Sequence, residues 1–309
     1  MRILICFLLF FVFGFAQKHQ IGTVLENDLF TSSVNDKYYT NGIEIFYRFL
    51  SKDTSEAVAK KINEFRIGQY IYNPQTVKAA DPGVHDRPFA GYLFGQFQKG
   101  WFYRNGSALK LSLQAGVIGP SSLAEDVQRG IHNLFAYKPV RGWDYQIHDL
   151  LSAQLQAFYS HPILQGKNAD LHVKANAFGG TAFVGGNVSI LSRISLKPLL
   201  PIFDSGLYGA SVNANPEAFK SQSEFFFYIA PGFQYQEYDA TIQGSRFGND
   251  DSPIKWDLVK PRFIGEAGFK FRKNKWDLSY AFVYRGKEVD NWVNKGYFYG
   301  SIQVAYFLK

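Results

Sequence analysis

From about residue 20 onward, apolar and polar side chains alternate along the chain in runs that often reach ten residues. Lys110-Leu111-Ser112-Leu113-Gln114-Ala115 is one such run. Ser152, Gln154 and Gln156 alternate with Leu151, Ala153, Leu155 and Ala157, and Asp277 and Ser279 with Trp276, Leu278, Tyr280 and Phe282. Neighbouring residues of a strand point to opposite faces, so each run wants one apolar and one polar side. Runs of this length are long for a soluble sandwich and long enough to cross a bilayer at a tilt. Twelve runs are read, near 21–27, 40–50, 64–72, 89–101, 108–118, 150–160, 170–178, 185–195, 223–238, 258–272, 275–287 and 296–308. The reading is all-β: an even number of antiparallel strands closed into a transmembrane barrel, which leaves no backbone edge unpaired in lipid. Arg272-Lys273-Asn274-Lys275-Trp276 reads as a tight hairpin turn, and Trp101, Tyr103, Trp276, Tyr284 and Trp292 as interfacial aromatics.

A helical membrane protein needs about 18 or more consecutive apolar residues, and only the N-terminus approaches that. Arg2, the apolar stretch Ile3 to Phe13, and the small residues Gly14 and Ala16 read as a signal peptide over 1–16. A single barrel domain over 17–309 is then expected, exported to the outer membrane. The one cysteine, Cys6, lies in that leader, so the expected mature chain carries no disulfide, thiol nucleophile or thiolate metal site. The formal charge of +7 falls by one when Arg2 is removed. With 30 Phe and 19 Tyr, this composition points to an anionic lipid surface rather than to nucleic acid.

Two segments break the alternation. Ser121 to Phe135 places Leu123, Val127, Ile131 and Leu134 at helical spacing and reads as a short amphipathic helix between the fifth and sixth runs, with Ser121 or Ser122 as its cap. Lys197 to Ser221 reads as a long loop. Gln128 and His132 share one face of the helix, where an imidazole can take a proton from water near neutral pH. Asp28, with backbone carbonyls around it, suits a hard cation. Neither a zinc H-E-x-x-H nor a G-x-S-x-G elbow occurs. Each residue also has a plainer reading. His132 fits the surface of a plug helix, Asn27-Asp28 a turn, Thr40 an ordinary strand position, and Lys78, Arg87 and Arg141 structural contacts to lipopolysaccharide phosphates. The residues by themselves establish a barrel more firmly than an enzyme.

Six stretches, in order, resemble the lipid A 3'-O-deacylase family of outer-membrane enzymes. They are ENDLF at 26–30, DKYYTNG at 36–42, QYIYNP at 69–74, DRPFAGYL at 86–93, GVIGPSSLAEDVQRGIH at 116–132 and GWDYQIHD at 142–149. The resemblance implies a site between barrel wall and helix near the outer leaflet, and calcium-dependent release of the acyloxyacyl group ester-linked at the 3'-position of lipid A. It also implies catalytic roles for His132 as general base, Gln128, Asn27 and Thr40, a metal ligand in Asp28, and substrate contacts from Lys78 and Arg87. Where the family can carry an acidic residue about six positions after the histidine, this chain has Lys138, with Glu125 and Asp144 as candidate substitutes. A monomer acting on lipopolysaccharide is expected. The competing readings are an outer-membrane phospholipase, against which the absence of H-x-S counts, and a non-enzymatic barrel, either a porin or adhesin, against which aromatic-heavy inward positions count, or a family member that has lost activity.

Overall fold

The computed structural model describes residues 18–31, 38–51, 55–76, 80–137, 139–214, 223–247 and 250–308. The expected leader and the start of the mature chain at Gln17 lie outside them, as do Asp36, Lys37, Lys78 and Lys138. Twelve antiparallel strands form one closed barrel. In chain order they are β1 (His19–Asn27), β2 (Tyr38–Leu50), β3 (Val58–Asn73), β4 (Ala90–Tyr103), β5 (Ala108–Ile118) and β6 (Leu150–Gln165). The second half supplies β7 (Ala169–Gly180), β8 (Phe183–Ile194), β9 (Glu224–Asp239), β10 (Pro261–Lys273), β11 (Trp276–Arg285) and β12 (Tyr297–Leu308). Every strand pairs with its sequence neighbours, and β1 closes the ring against β12 from His19↔Leu308 to Asn27↔Gly300.

The alternation in the sequence becomes the two faces of the wall. On β6, Leu151 and Leu155 are 82% and 64% exposed, whereas Ser152 and Gln154 between them are 4% and 3%. Ile45, Ile67, Leu113, Phe227 and Phe233 continue the outward apolar band around the barrel. In water such a surface would aggregate; lipid is the solvent it fits. The Asn274-Lys275 hairpin forms as expected, with Asn274 at φ +54° and Lys273 paired to Trp276.

The ends are unequal. At the end carrying the first residue of β1 and the last of β12, Tyr103 to Ala108, Gln165 to Ala169 and Lys273 to Trp276 are joined by short turns. At the other end long loops join β1 to β2, β3 to β4, β5 to β6, β9 to β10 and β11 to β12. Short turns mark the periplasmic end of outer-membrane barrels and long loops the extracellular end.

The β8–β9 connection is the exception, a long loop at the periplasmic end. Its described part turns into the lumen. Ile202, Ala210 and Val212 are buried against Ile62, Phe102, Ala108 and Phe307. The Lys60 ammonium meets Asp204 at 2.6 Å and also donates to the Ala210 carbonyl. Ser211 donates to Asp277, and the Gly206 amide donates to Glu224. Gly209, at φ +77°, lies against the Arg48 guanidinium, which would strike a Cβ at 2.8 Å. The stretch expected as a loop is therefore a plug. Around it the lumen is lined less by aromatics than the sequence reading held. Arg48 pairs with Glu64, Arg66 with Glu44, Lys270 with Asp277, and Arg193 with Asp170. Tyrosines dominate only the extracellular half, where Tyr39, Tyr70, Tyr72 and Tyr299 help line a cavity of about 470 Å³.

Candidate active site on the outer wall

The expected helix is α1 (Ala124–Leu134), and it lies on the outside of the barrel. The register on β3 shows this. Ile71 shares the outward set of Phe65 and Ile67, which are exposed, yet it is buried in a cluster with Phe89, Ala124, Val140 and Trp143. The loop after β5 has folded back over the wall of β3 and β4. Gly91 makes the approach possible. A Cβ there would lie 2.1 Å from the Ser122 hydroxyl and 2.2 Å from the Ala124 methyl. Gln69, on the outward face of β3, donates to the Ser122 carbonyl at 2.6 Å.

The expected serine cap is not made. Leu123 precedes the helix in a left-handed conformation, at φ +59°, with no side-chain cap bond. Both serines serve the 3-10 turn Pro120–Ser122 instead. The Ser121 amide and hydroxyl donate to Asp149, and the Ser122 hydroxyl donates to the Gly119 carbonyl. A loop pinned at its two feet fixes the helix entry better than an isolated cap.

Three residues at successive i+4 positions, Ala124, Gln128 and His132, are the buried ones of α1 and face the wall. His132 is 8% exposed, so it is turned away from bulk solvent, and its ring meets Tyr137 edge-on at 5.6 Å. Gln128 is fully buried, and its Oε1 accepts the indole N–H of Trp143 at 2.8 Å. Trp143 stacks obliquely on Phe89, centroids 5.0 Å apart.

The remaining site residues lie on the neighbouring strands. Asn27 closes β1 in the outward register of Ile21 and Leu25, opposite Asn41 of β2. Its Nδ2 donates to Asn41 Oδ1 at 2.5 Å, and its Oδ1 caps the 3-10 turn Asp28–Phe30 through the Leu29 amide. Asp28, 4% exposed, starts that turn. Thr40 is fully buried at the β-bulge between Tyr39 and Asn41, and its hydroxyl reaches the Ile71 carbonyl at 3.4 Å. β1 and β3 are separated by about 10 Å, two strand spacings. Asn41 and Thr40 of β2 span that gap, so contacts run from Asn27 through Asn41, Thr40, Ile71 and Trp143 to Gln128. The wall side of this arrangement offers a carboxylate with neutral amide and hydroxyl oxygens and no sulfur. That hard donor set fits Ca²⁺ and not a soft metal.

Other expected contributors are placed elsewhere. Arg87 is fully buried with its guanidinium 4.3 Å from the Tyr72 ring, donating to the Thr241 hydroxyl at 2.9 Å and lying 3.7 Å from Glu288. Held on the lumen side of the rim, it has no surface to offer a lipid phosphate, and the expected contact does not fit. The adjacent Asp86 accepts from Tyr38, at 2.7 Å, and from the Gln75 amide, so the DRPF stretch works as a structural clasp. Glu125 pairs with Arg129 at 2.5 Å and Asp144 is exposed, so neither is turned to the wall with His132. His148, Asp250 and Asp251 gather in the extracellular loops. Against the upward push of burial, hydrogen bonds from Ser252 and Ser245 hold the Asp250 carboxyl below its usual range. That carboxylate is spent on loop structure.

Sequence reasoning quoted Gly91 and Trp143 inside motifs without giving either a role. A glycine in the outward register, where lipid calls for a large apolar residue, is a legible sign of close approach. Nothing local announces the Trp143 bond to Gln128.

A closed twelve-stranded barrel with an apolar outer band, a polar plugged lumen and a polar cluster folded onto its outside is an integral outer-membrane protein of the β-barrel class. A family model described as outer membrane protein LpxR matches residues 3–308. The chain belongs to the LpxR family, which bears out the family reading made from the six motifs. Among solved structures, LpxR from Salmonella typhimurium is similar with a TM-score of 0.74 at 18% identity, over 94% of this chain and 100% of that one. The β domain of the Bordetella autotransporter Brka is similar at 0.50 and 8% identity, over 94% and 98% of the two chains. At these identities both show the barrel fold alone. No curated protein matches the chain.

Proposed function

We propose that this protein is an outer-leaflet esterase that hydrolyses the acyloxyacyl ester at the 3'-position of lipid A, as a monomer. The observation that carries the reading is a buried Gln128 and His132 on the lipid-facing side of the wall, where every physical pressure favours apolar side chains. A pore would place its polar groups inside. A site outside the wall suits a substrate that arrives sideways, from the membrane.

In the proposed reaction the His132 imidazole takes a proton from a water molecule, whose oxygen attacks the ester carbonyl carbon. The tetrahedral adduct collapses, the bond to the 3'-oxygen breaks, and His132 returns the proton to that oxygen. The products are a free acyloxyacyl carboxylic acid and a 3'-hydroxyl. Asn27 and Thr40 shape the wall side of the cleft. Asp28 with the neighbouring oxygens would hold Ca²⁺, whose charge favours a developing oxyanion. Lys78 is retained in the proposal as a contact to lipid A phosphate; Arg87 is not.

The test is mass spectrometry of lipid A from membranes carrying the wild type or His132→Ala, with and without chelator. Loss of the 3'-acyloxyacyl mass in the wild type alone, blocked by chelation, is expected. Identical lipid A from both strains would refute the assignment.

A further inference from the structure

We infer that Trp143 is a positioning residue that locks Gln128 as a hydrogen-bond donor toward the scissile ester oxygen, an inference that rests on the esterase reading. An indole nitrogen only donates, so a 2.8 Å contact from Trp143 Nε1 identifies the Gln128 atom facing it as the carbonyl oxygen. The flipped amide would set two donors against each other. The amide nitrogen is therefore on the far side from the indole, on the helix face that Gln128 shares with His132. Gln128 is fully buried, and its Nε2 has no hydrogen-bond partner among the described residues. A buried donor left unmade is costly, and folded proteins seldom keep one without a role. Here the fixed N–H lies on the helix face that also carries the proposed base.

The indole is rigidly seated. Trp143 is 1% exposed among Ile71, Phe89, Ala124 and Val140. It follows Gly142, at φ +108°, where a Cβ would strike the His85 ring at 2.7 Å and the Phe89 ring at 2.9 Å. The turn permits only glycine, and it aims the next residue inward at Gln128. A donor held in one orientation serves an oxygen that gains negative charge during attack, since no reorganisation is needed when the charge appears. The resemblance implied a catalytic role for Gln128 without specifying it. With its carbonyl turned to the indole, Gln128 is free to serve the ester oxygen through its N–H.

The experiment compares Trp143→Phe, Gln128→Glu and the double variant with wild type, as purified barrels cleaving lipopolysaccharide in mixed micelles. Gel mobility before and after heating checks that each barrel is folded. Trp143→Phe keeps the packing and removes the N–H, so kcat should fall roughly tenfold with KM little changed. Gln128→Glu keeps an acceptor for the indole but replaces the donor with an anionic oxygen, so kcat should fall by about a hundredfold or more. If Trp143 acts through Gln128, adding Trp143→Phe to Gln128→Glu should cost little further activity. Wild-type kcat in Trp143→Phe, a rise in KM alone, or fully additive losses would each overturn the positioning role while leaving the esterase standing. A wild-type protein that releases no acyl chain would overturn both.

Discussion

Two polar regions of this barrel, the lumen and the outside patch under α1, obey different rules. In the lumen many charges are met by an opposite charge. Arg48 faces Glu64, Lys60 faces Asp204, and Lys270 faces Asp277 at 2.5 Å. The plug loop adds its own hydroxyls and amides to that lattice. Outside, the groups are mostly neutral, and Gln128 retains a donor with no partner among the described residues, as the lumen's Gln154 also does. The lumen is the more charged region. Polarity alone therefore does not mark a functional site; polarity left incomplete on a surface meant for lipid does.

His132→Ala is the sharpest way to break the contrast. The barrel should fold and insert as before, while deacylation falls by about a hundredfold or more, the usual scale for a general base. Trimmed lipid A at wild-type rate would reduce the patch to another piece of structure. Gly91→Ala attacks the same region through geometry. Its methyl cannot coexist with Ala124 at 2.2 Å, so α1 must lift. Activity should drop about tenfold or more, because sub-ångström placement governs such reactions, with little change in the heat-induced gel shift. Activity equal to wild type would show that helix and wall need not fit so closely.

Replacing residues 202–212 with a glycine-serine linker tests the lumen side. Ion conductance in planar bilayers should appear where the intact protein passes little, with lipid A cleavage retained. Loss of cleavage in a folded, conducting variant would show that the two regions are coupled. The smallest effect is expected from Glu125→Ala, which removes a partly exposed pair with Arg129 worth about 0.5 kcal/mol or less. Cleavage should be unchanged, and a tenfold loss would instead identify Glu125 as the acid that stands in where this chain has Lys138.

The strands were legible because lipid on one side and a packed lumen on the other impose period two along most of each strand. Their ends were less so. β3 begins at Val58 rather than near 64, because Lys60 reads as a loop residue until the plug's Asp204 gives it a partner. β6 continues past Pro162 to Gln165 through a bulge, a continuation that a proline hides. Leu258 makes only an isolated bridge with Val289, so β10 starts later than its apolar pattern. The shared face of Gln128 and His132 follows from helical spacing. The place of Arg87 does not, since a motif says which residues are near in sequence and not which side of the rim they occupy. The Trp143 bond depends on a turn across the loop, which no local period encodes.

The strand that presents Asn27 and leads into Asp28 is both the first made and one half of the seam. Its turn leans on the last two strands: a Cβ at Gly300 of β12 would meet Phe30 at 2.6 Å, and the Tyr280 hydroxyl of β11 donates to the Phe30 carbonyl at 3.1 Å. Until β12 zips onto β1, half the support of that corner is missing. A partly threaded chain in the periplasm thus lacks that support, so the proposed activity is expected only after the final closure in the membrane that holds the lipid.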